Sequence, residues 1–380
     1  MYRQIALDRR DCNYQRILWN RSLNNAPLDY QLRTVTYGLT CAPFLALCVI
    51  KQLVADEGSS FFLAIPVLRD SLYVDDVLFG DDDESHVRQI HHQVVSLFRQ
   101  GRFELRKWTS NSTDLLSDID ASDHGLACSK ELGANEKIKL LGIKWNPFLD
   151  VFQIDVSPSA PASDSKRSIL STIAKLYDPL GWLTPITVAA KILMQALWRE
   201  KSEWDDPVPS RLQSRWNLIY SGLEVLRSIT IPRWLRLDAD VFRAELHGFS
   251  DASTQAYAAV IYLRVITNSG TTRITSCFCW TDSSIVLSWL KHHPSQWKTF
   301  VANRVAEVQA RLSTAEWRYV PTEDNPADCA SRGLIGKELL AHSLWWQGLS
   351  WLSRSELHWP KSPSFVDDKP LPEAKDALSL

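Results

Sequence analysis

Two adjacent carboxylates sit inside an apolar, β-prone run, Ser71-Leu-Tyr-Val-Asp75-Asp76-Val-Leu-Phe-Gly80. Charges within a strand pattern are costly to bury unless they stand at a hairpin tip or meet cations. The run therefore predicts strand, Asp-Asp, strand, with the flanks buried in a sheet and the tip offering carboxylates. An isolated Asp-Asp would read as a surface turn, since Asp is a good turn residue. Apolar residues on both sides make the hairpin reading far more specific. In-line phosphoryl transfer uses paired divalent ions about 4 Å apart, and such a tip suits them.

The rest of the composition neither demands nor forbids that chemistry. A chain of 380 residues has room for two or three domains, each with its own core. Its 45% hydrophobic and 23% charged residues are those of an ordinary globular protein. A net charge of −2 does not favour a polyanion partner. Only local basic strips do: Arg102, Arg106 and Lys107; Lys137, Lys139 and Lys144; Lys291, His292, His293 and Lys298. Each alone is more often a solvated face than a groove. The seven cysteines form no CxxC pair, which excludes zinc ribbons and disulfide frameworks and makes a reducing compartment the default. Met1-Tyr-Arg-Gln-Ile5 is too polar for a signal peptide, and the apolar run Leu39 to Ile50 is too short to span a bilayer. No membrane partner is expected, and Leu39–Ile50 reads as a buried helix.

Along the chain the pattern is α+β and α/β, in several domains. Residues 1–156 alternate short apolar strands with amphipathic helices, such as Ser85 to Gln100. Ser157 to Ser165 is Pro/Ser-rich and reads as a linker. Residues 157–240 hold that linker and two helices broken at Asp178-Pro-Leu-Gly181, the second starting near Pro185 with an apolar stripe. From Glu245 the pattern turns to β, with strands at His247–Asp251, Tyr257–Arg264 and Ile274–Trp280 and a turn at Asn268-Ser-Gly270. Helical signals resume at Ser284 and near Phe300. The last domain is thus 241–335. Residues 336–380, rich in Trp, Ser and Pro, read as a partly disordered tail.

A second chemical centre lies in 241–335. His247-Gly-Phe-Ser-Asp251 and Trp280-Thr-Asp282 each read as a strand delivering a carboxylate at its end, and Ser283 or Ser284 can cap the next helix. Asn325-Pro-Ala-Asp328-Cys-Ala-Ser-Arg-Gly333 has the grammar of a short helix: Asn325 to cap, Pro326 in the first turn, Gly333 to stop. One Asp in a helix first turn is ordinarily a dipole partner. Three carboxylates in the order strand, strand, helix point instead to a shared site.

These motifs resemble the Bel/Pao family of LTR retrotransposon polyproteins over nearly the whole chain. Tyr73-Val-Asp75-Asp76 is similar to the YxDD motif of reverse transcriptases, and Thr36-Tyr-Gly38 through Pro43 to the motif under the incoming nucleotide. Gly101 to Trp108 resembles the next palm motif, and Leu141-Gly142-Ile-Lys-Trp145 the primer grip. His247–Ser253, Trp280–Ser284, Trp297–Arg304 and Asn325–Gly333 resemble the family's RNase H elements. The resemblance implies a truncated reverse transcriptase with palm and thumb-like parts over 1–156, then a helical connection and a shortened RNase H-like α/β domain. It implies Asp75, Asp76, Asp251, Asp282 and Asp328 as catalytic and metal-binding residues for Mg²⁺ or Mn²⁺. It also implies Tyr73, Gly38, Lys107, Gly142 and Trp145 at nucleotide and primer. The implied partners are an RNA template, a DNA primer, an RNA–DNA hybrid and deoxynucleotides. The implied location is cytoplasmic, including virus-like particles.

Two parts of the pattern are missing. The family's first metal-binding Asp would fall upstream of Met1. The RNase H Glu, carried on a helix between the first two Asp-bearing strands, has no counterpart, because no Glu lies between Asp251 and Asp282. The expectation is therefore an RNA-directed DNA polymerase and RNase H polyprotein fragment, impaired in catalysis. A non-catalytic nucleic-acid-binding remnant is the alternative. A Pao-type peptidase is disfavoured, since neither Asp-Thr-Gly nor Asp-Ser-Gly occurs.

Overall fold

In the computed structural model the described residues are 1–20, 26–125, 138–140, 142–156, 165–237, 241–267, 274–361 and 371–375. The chain divides into two compact units, Met1–Leu141 with Asn146–Leu149, and Gly142–Trp145 with Asp150–Leu380.

The first unit opens with an antiparallel ladder, β1 (Arg16–Trp19) against β2 (Leu28–Gln31). Helix α1 (Ala42–Glu57) has Pro43 in its first turn, where the missing backbone donor is harmless. It buries Ala42, Ala46, Ile50 and Leu53, spaced along one face. A helix is thus present where one was expected, but it starts three residues later and is buried on one face only, with Phe44 exposed. Next come α2 (Ala64–Asp70), β3 (Leu72–Tyr73), β4 (Asp76–Val77) and α3 (Glu84–Gln100). The Asp83 side chain caps α3 by accepting from the Ser85 N–H, and Gly101 follows its last residue. Ile90, Val94, Leu97 and Phe98 bury against α1 and α2, as the period of the sequence requires. The short α4 (Thr113–Leu116) and β5 (Ile138–Leu140) follow.

The second unit joins two sheets to a helical layer. Strands β6 (Ile143–Asn146), β7 (Val151–Gln153) and β8 (Thr230–Pro232) hydrogen-bond in that order. Between β7 and β8 run α5 (Lys166–Ala174), α6 (Thr184–Arg199) and α7 (Ser210–Ser221). The break between α5 and α6 falls where Pro and Gly place it. Gly181 adopts φ +78°, and the Asp178 carboxylate accepts from the N–H groups of Trp182 (2.9 Å) and Leu183 (2.7 Å), supplying partners at the start of α6. The expected linker at 157–164 lies outside the described residues.

The main sheet has the order β10-β9-β11-β12, made from β9 (Val241–Ala252), β10 (Tyr257–Thr267), β11 (Ile274–Thr281) and β12 (Glu316–Tyr319). β10 is antiparallel to β9, whereas β11 is parallel to both β9 and β12. Parallel neighbours ordinarily need a crossover of a dozen or more residues. Here β10 first returns the chain to the starting end of β9, with Thr267 opposite Val241, and β11 sets out from the same end, with Ile274 opposite Ala244. Six residues, 268–273, therefore connect them; the expected turn at 268–270 is outside the described residues. Helices α8 (Ser284–Lys291) and α9 (Thr299–Arg311) join β11 to β12, and α10 (Ala327–Arg332) follows.

Two expectations change. The helical connection and the RNase H-like region were expected as separate stretches, but they share one core. Ile186, Leu193 and Leu197 of α6 pack in one cluster with Trp216 and Ile219 of α7, Ala258 of β10 and Ala330 of α10. Backbones meet there: a Cβ on Gly333 would lie 2.8 Å from Ala189, and one on Gly336 would overlap the Gly222 carbonyl. Nor is the tail disordered through Lys361. It forms α11 (Gly336–Ala341), α12 (Ser343–Gln347) and 3-10 turns, and buries Trp345, Leu349, Leu352 and Trp359. Its Trp residues need apolar partners that lie about a hundred residues earlier in the chain, so local composition misreads them.

Candidate nucleic-acid site at the strand ends

The carboxylates of the second unit gather at one rim of the main sheet. Ser250 of β9 stands opposite Thr281 of β11. Asp251 and Asp282 therefore occupy the next positions of two neighbouring parallel strands. α10 docks beside them: the Asn325 amide donates to the Ser250 carbonyl at 3.1 Å, and its Oδ1 accepts from the Ala327 N–H at 3.1 Å. The N-cap position falls on Pro326, one residue later than expected; Asn325 stands just before it and still accepts from the first N–H of α10, and Gly333, at φ +85°, ends the helix. This brings Asp328 to the same rim. Ser283 caps α8 by accepting from the Val286 N–H.

Two of the three carboxylates have partners within α10. The buried Ser331 hydroxyl donates to Asp251 Oδ2. Arg332 Nε donates to Asp328 Oδ1 at 2.7 Å. The sequence reading missed both partners. The Asp328–Arg332 pair was legible as an i,i+4 spacing; Ser331 to Asp251 spans eighty positions and was not. Among the described residues, no group of three or more His, Cys, Asp or Glu side chains stands close enough to hold a metal ion. With Ser331 on Asp251 and Arg332 on Asp328, the carboxylates at rest do not form a closed cage for Mg²⁺ or Mn²⁺.

In the first unit the hairpin is present, with Leu72 opposite Val77 and Tyr73 opposite Asp76. The tip is Val74-Asp75, so Asp76 opens the second strand. Val74 has φ +54°, a strained value for a β-branched residue. Asp75, Asp76 and Tyr73 are exposed. Partial burial and the neighbouring Asp75 charge push the Asp76 carboxyl up, and Lys107 partly offsets this. Lys107, itself at φ +61°, therefore lies within electrostatic reach of the tip. Gly38 has φ +88° and open space where a side chain would start. Gly142 and Trp145 fall in the second unit. Gly142, at φ +90°, packs on Tyr177, where a Cβ would lie 2.6 Å from the ring. Trp145 is buried, donates to Asp150 Oδ1 at 3.0 Å and lies under the Arg233 guanidinium. The basic strips are partly consumed, by Arg106 with Glu104, Lys144 with Asp155, and Lys298 with the Pro372 carbonyl.

Beneath the rim lies a buried polar chain. The Trp280 indole donates to His247 Nδ1 at 3.1 Å, so the other ring nitrogen carries the proton and meets Glu245 at 3.2 Å. Glu245 also takes Arg264 (2.7 Å) and Arg243 (2.6 Å). Burial pushes His247 down, against the pull of Glu245. Burial alone raises Glu245, but Arg264 and His247 hold it below the usual carboxylate range. This network positions β9 and β11; its His247 and Glu245 are fully buried, and the two arginines reach the surface. Cys279 on β11, its thiol pushed up to about 12 by burial, is an inert core group.

A sheet of this order, with carboxylates at the ends of two parallel strands and on the helix after the last strand, defines an RNase H-like α/β domain. Residues 165–283, about a third of the chain, match the family model described as Pao retrotransposon-like RNaseH-like domain. No curated protein sequence matches the chain. A solved structure titled as the foamy viral protease-reverse transcriptase in complex with dsDNA aligns at 10% identity and TM-score 0.42, over 83% of this chain and 65% of that one. Among the described residues, no helix is long and apolar enough to cross a membrane.

Proposed function

We propose that the chain processes retroelement nucleic acid by binding an RNA–DNA hybrid across the Asp251–Asp282–Asp328 rim, with hydrolysis strongly impaired. The observation that carries this reading is the placement of Asp251 and Asp282 on adjacent parallel strand ends with α10 docked beside them. The impairment follows from two facts: Ser331 and Arg332 already engage two of the carboxylates, and the intervening stretch contains no Glu. The hairpin of the first unit belongs to the same reading as a reverse transcriptase tip, with RNA template, DNA primer and deoxynucleotides as its ligands. Among the described residues no third acidic group joins Asp75 and Asp76 in a metal-holding cluster, so RNA-directed DNA polymerase activity is expected to be absent.

The test pairs binding with turnover. A labelled hybrid should bind the chain in EDTA, and cleavage with Mg²⁺ or Mn²⁺ should stay near background in both wild type and Asp282→Asn. Robust cleavage abolished by Asp282→Asn would sink the impairment; no hybrid binding under any condition would sink the reading itself. Primer extension on an RNA template by the purified chain would overturn the polymerase part.

A further inference from the structure

We infer that Arg332 is a built-in counter-cation of the rim, held by Asp328 at rest and turned to a backbone phosphate when a nucleic acid lies across the strand ends. The inference rests on the functional reading above.

The geometry fixes where Arg332 stands. Ser331 is fully buried, and its hydroxyl ties α10 to Asp251. Its carbonyl accepts from the Ser253 hydroxyl at 3.0 Å. Gly333 follows at φ +85° with its Cα packed on Ala189. The backbone on both sides of Arg332 is therefore held. Only its side chain is at liberty: the Arg332 side chain is 63% exposed, against 29% for Asp328. An i,i+4 ion pair whose cation stands largely in water is a weak tie, so the guanidinium can leave at little cost. Guanidinium groups bind phosphate oxygens in a two-pronged geometry. Without Arg332 the rim would present three carboxylates to an approaching polyanion. With it, one of the three is neutralised without any metal.

This assigns Arg332 two opposing effects. It should weaken divalent-ion binding at the rim, and it should strengthen metal-free binding of nucleic acid. A surface ion pair that merely steadies α10 does not produce that combination.

The full chain, Arg332→Gln and Arg332→Lys are compared in two titrations: Mn²⁺ alone, followed by electron paramagnetic resonance, and a fluorescein-labelled RNA–DNA hybrid in EDTA at several salt concentrations, followed by anisotropy. Arg332→Gln should bind Mn²⁺ about threefold to fivefold more tightly. It should bind the hybrid about fivefold more weakly, with the slope of log affinity against log salt reduced by about one. Arg332→Lys should keep most of the hybrid affinity. Unchanged hybrid affinity and slope in Arg332→Gln overturn the inference, as does weaker Mn²⁺ binding. If the wild-type chain does not bind the hybrid, the functional reading fails first and the inference falls with it, a result visible before any variant is compared.

Discussion

Trp359 offers the most demanding test of how the second unit holds together. Its ring is buried, edge-on to Phe278 (centroids 5.2 Å apart) and His247 (5.3 Å), between the guanidinium groups of Arg264 (5.3 Å) and Arg318 (5.0 Å). Removing an aromatic side chain from a packed core costs about 3–5 kcal/mol. Losing two largely desolvated cation–π contacts adds about 1 kcal/mol or more. The 350–361 segment can also detach, which caps the total at the free energy of its docking. Trp359→Ala should therefore destabilise the unit by about 4 kcal/mol, lowering its melting transition by about 10 °C for a body of this size. Trp359→Phe separates packing from polarity. The Trp359 indole N–H is buried and finds no acceptor among the described residues. Phe thus removes an unsatisfied donor while keeping an aromatic face, and should cost no more than about 1 kcal/mol. Thermal unfolding followed by near-ultraviolet circular dichroism measures both. A Trp359→Ala transition within about 2 °C of wild type would show that the tail is not part of the core.

Three further outcomes follow from the same geometry. His247 is held neutral below its unfolded value of about 6.5, so its contribution is complete above that pH and is lost as pH falls further. The melting temperature of wild type should drop between about pH 6.5 and 5 more steeply than that of His247→Gln, whose amide can satisfy both Trp280 and Glu245; parallel profiles would refute this. Gly336→Ala forces a methyl into the Gly222 carbonyl and should cost more than about 2 kcal/mol in urea unfolding; a smaller loss means the α7–α11 contact is looser than drawn. Val74→Gly removes left-handed strain of about 1–2 kcal/mol against a backbone-entropy penalty of about 0.5–1 kcal/mol. The first unit should then be at least as stable as wild type in chemical denaturation, and a loss above about 1 kcal/mol would contradict the strained-tip argument.

What could be read in the residues was local. Helix α3 showed its period, Asp178 to Gly181 its break, and Asn325 to Gly333 a cap and a stop. The Asp-Asp hairpin followed from the cost of charge in an apolar strand, although the tip sits one residue earlier than its two carboxylates. Long-range facts stayed hidden. That Ser331 reaches Asp251, or that Trp351 and Trp359 close over Phe249, Phe278 and Trp280, depends on which strands become neighbours. Trp145 illustrates a different limit. A motif can suggest a ligand contact, yet only packing reveals that Asp150 and Arg233 already hold the ring. The merging of the helical layer with the sheet depended on glycines meeting at backbone distance, a property no periodicity encodes.

The joint between Thr267 and Ile274 has a consequence for how such a domain can change size. Both strands end or begin at the same edge of β9, so whatever bridges them closes a loop whose endpoints are already fixed by the ladder. Lengthening a closed loop is cheap, about 0.6 kcal/mol per doubling. Whole secondary-structure elements can therefore be gained or shed at this seam without rethreading a single strand, and the carboxylate-bearing rim, at the opposite end of the sheet, keeps its register either way.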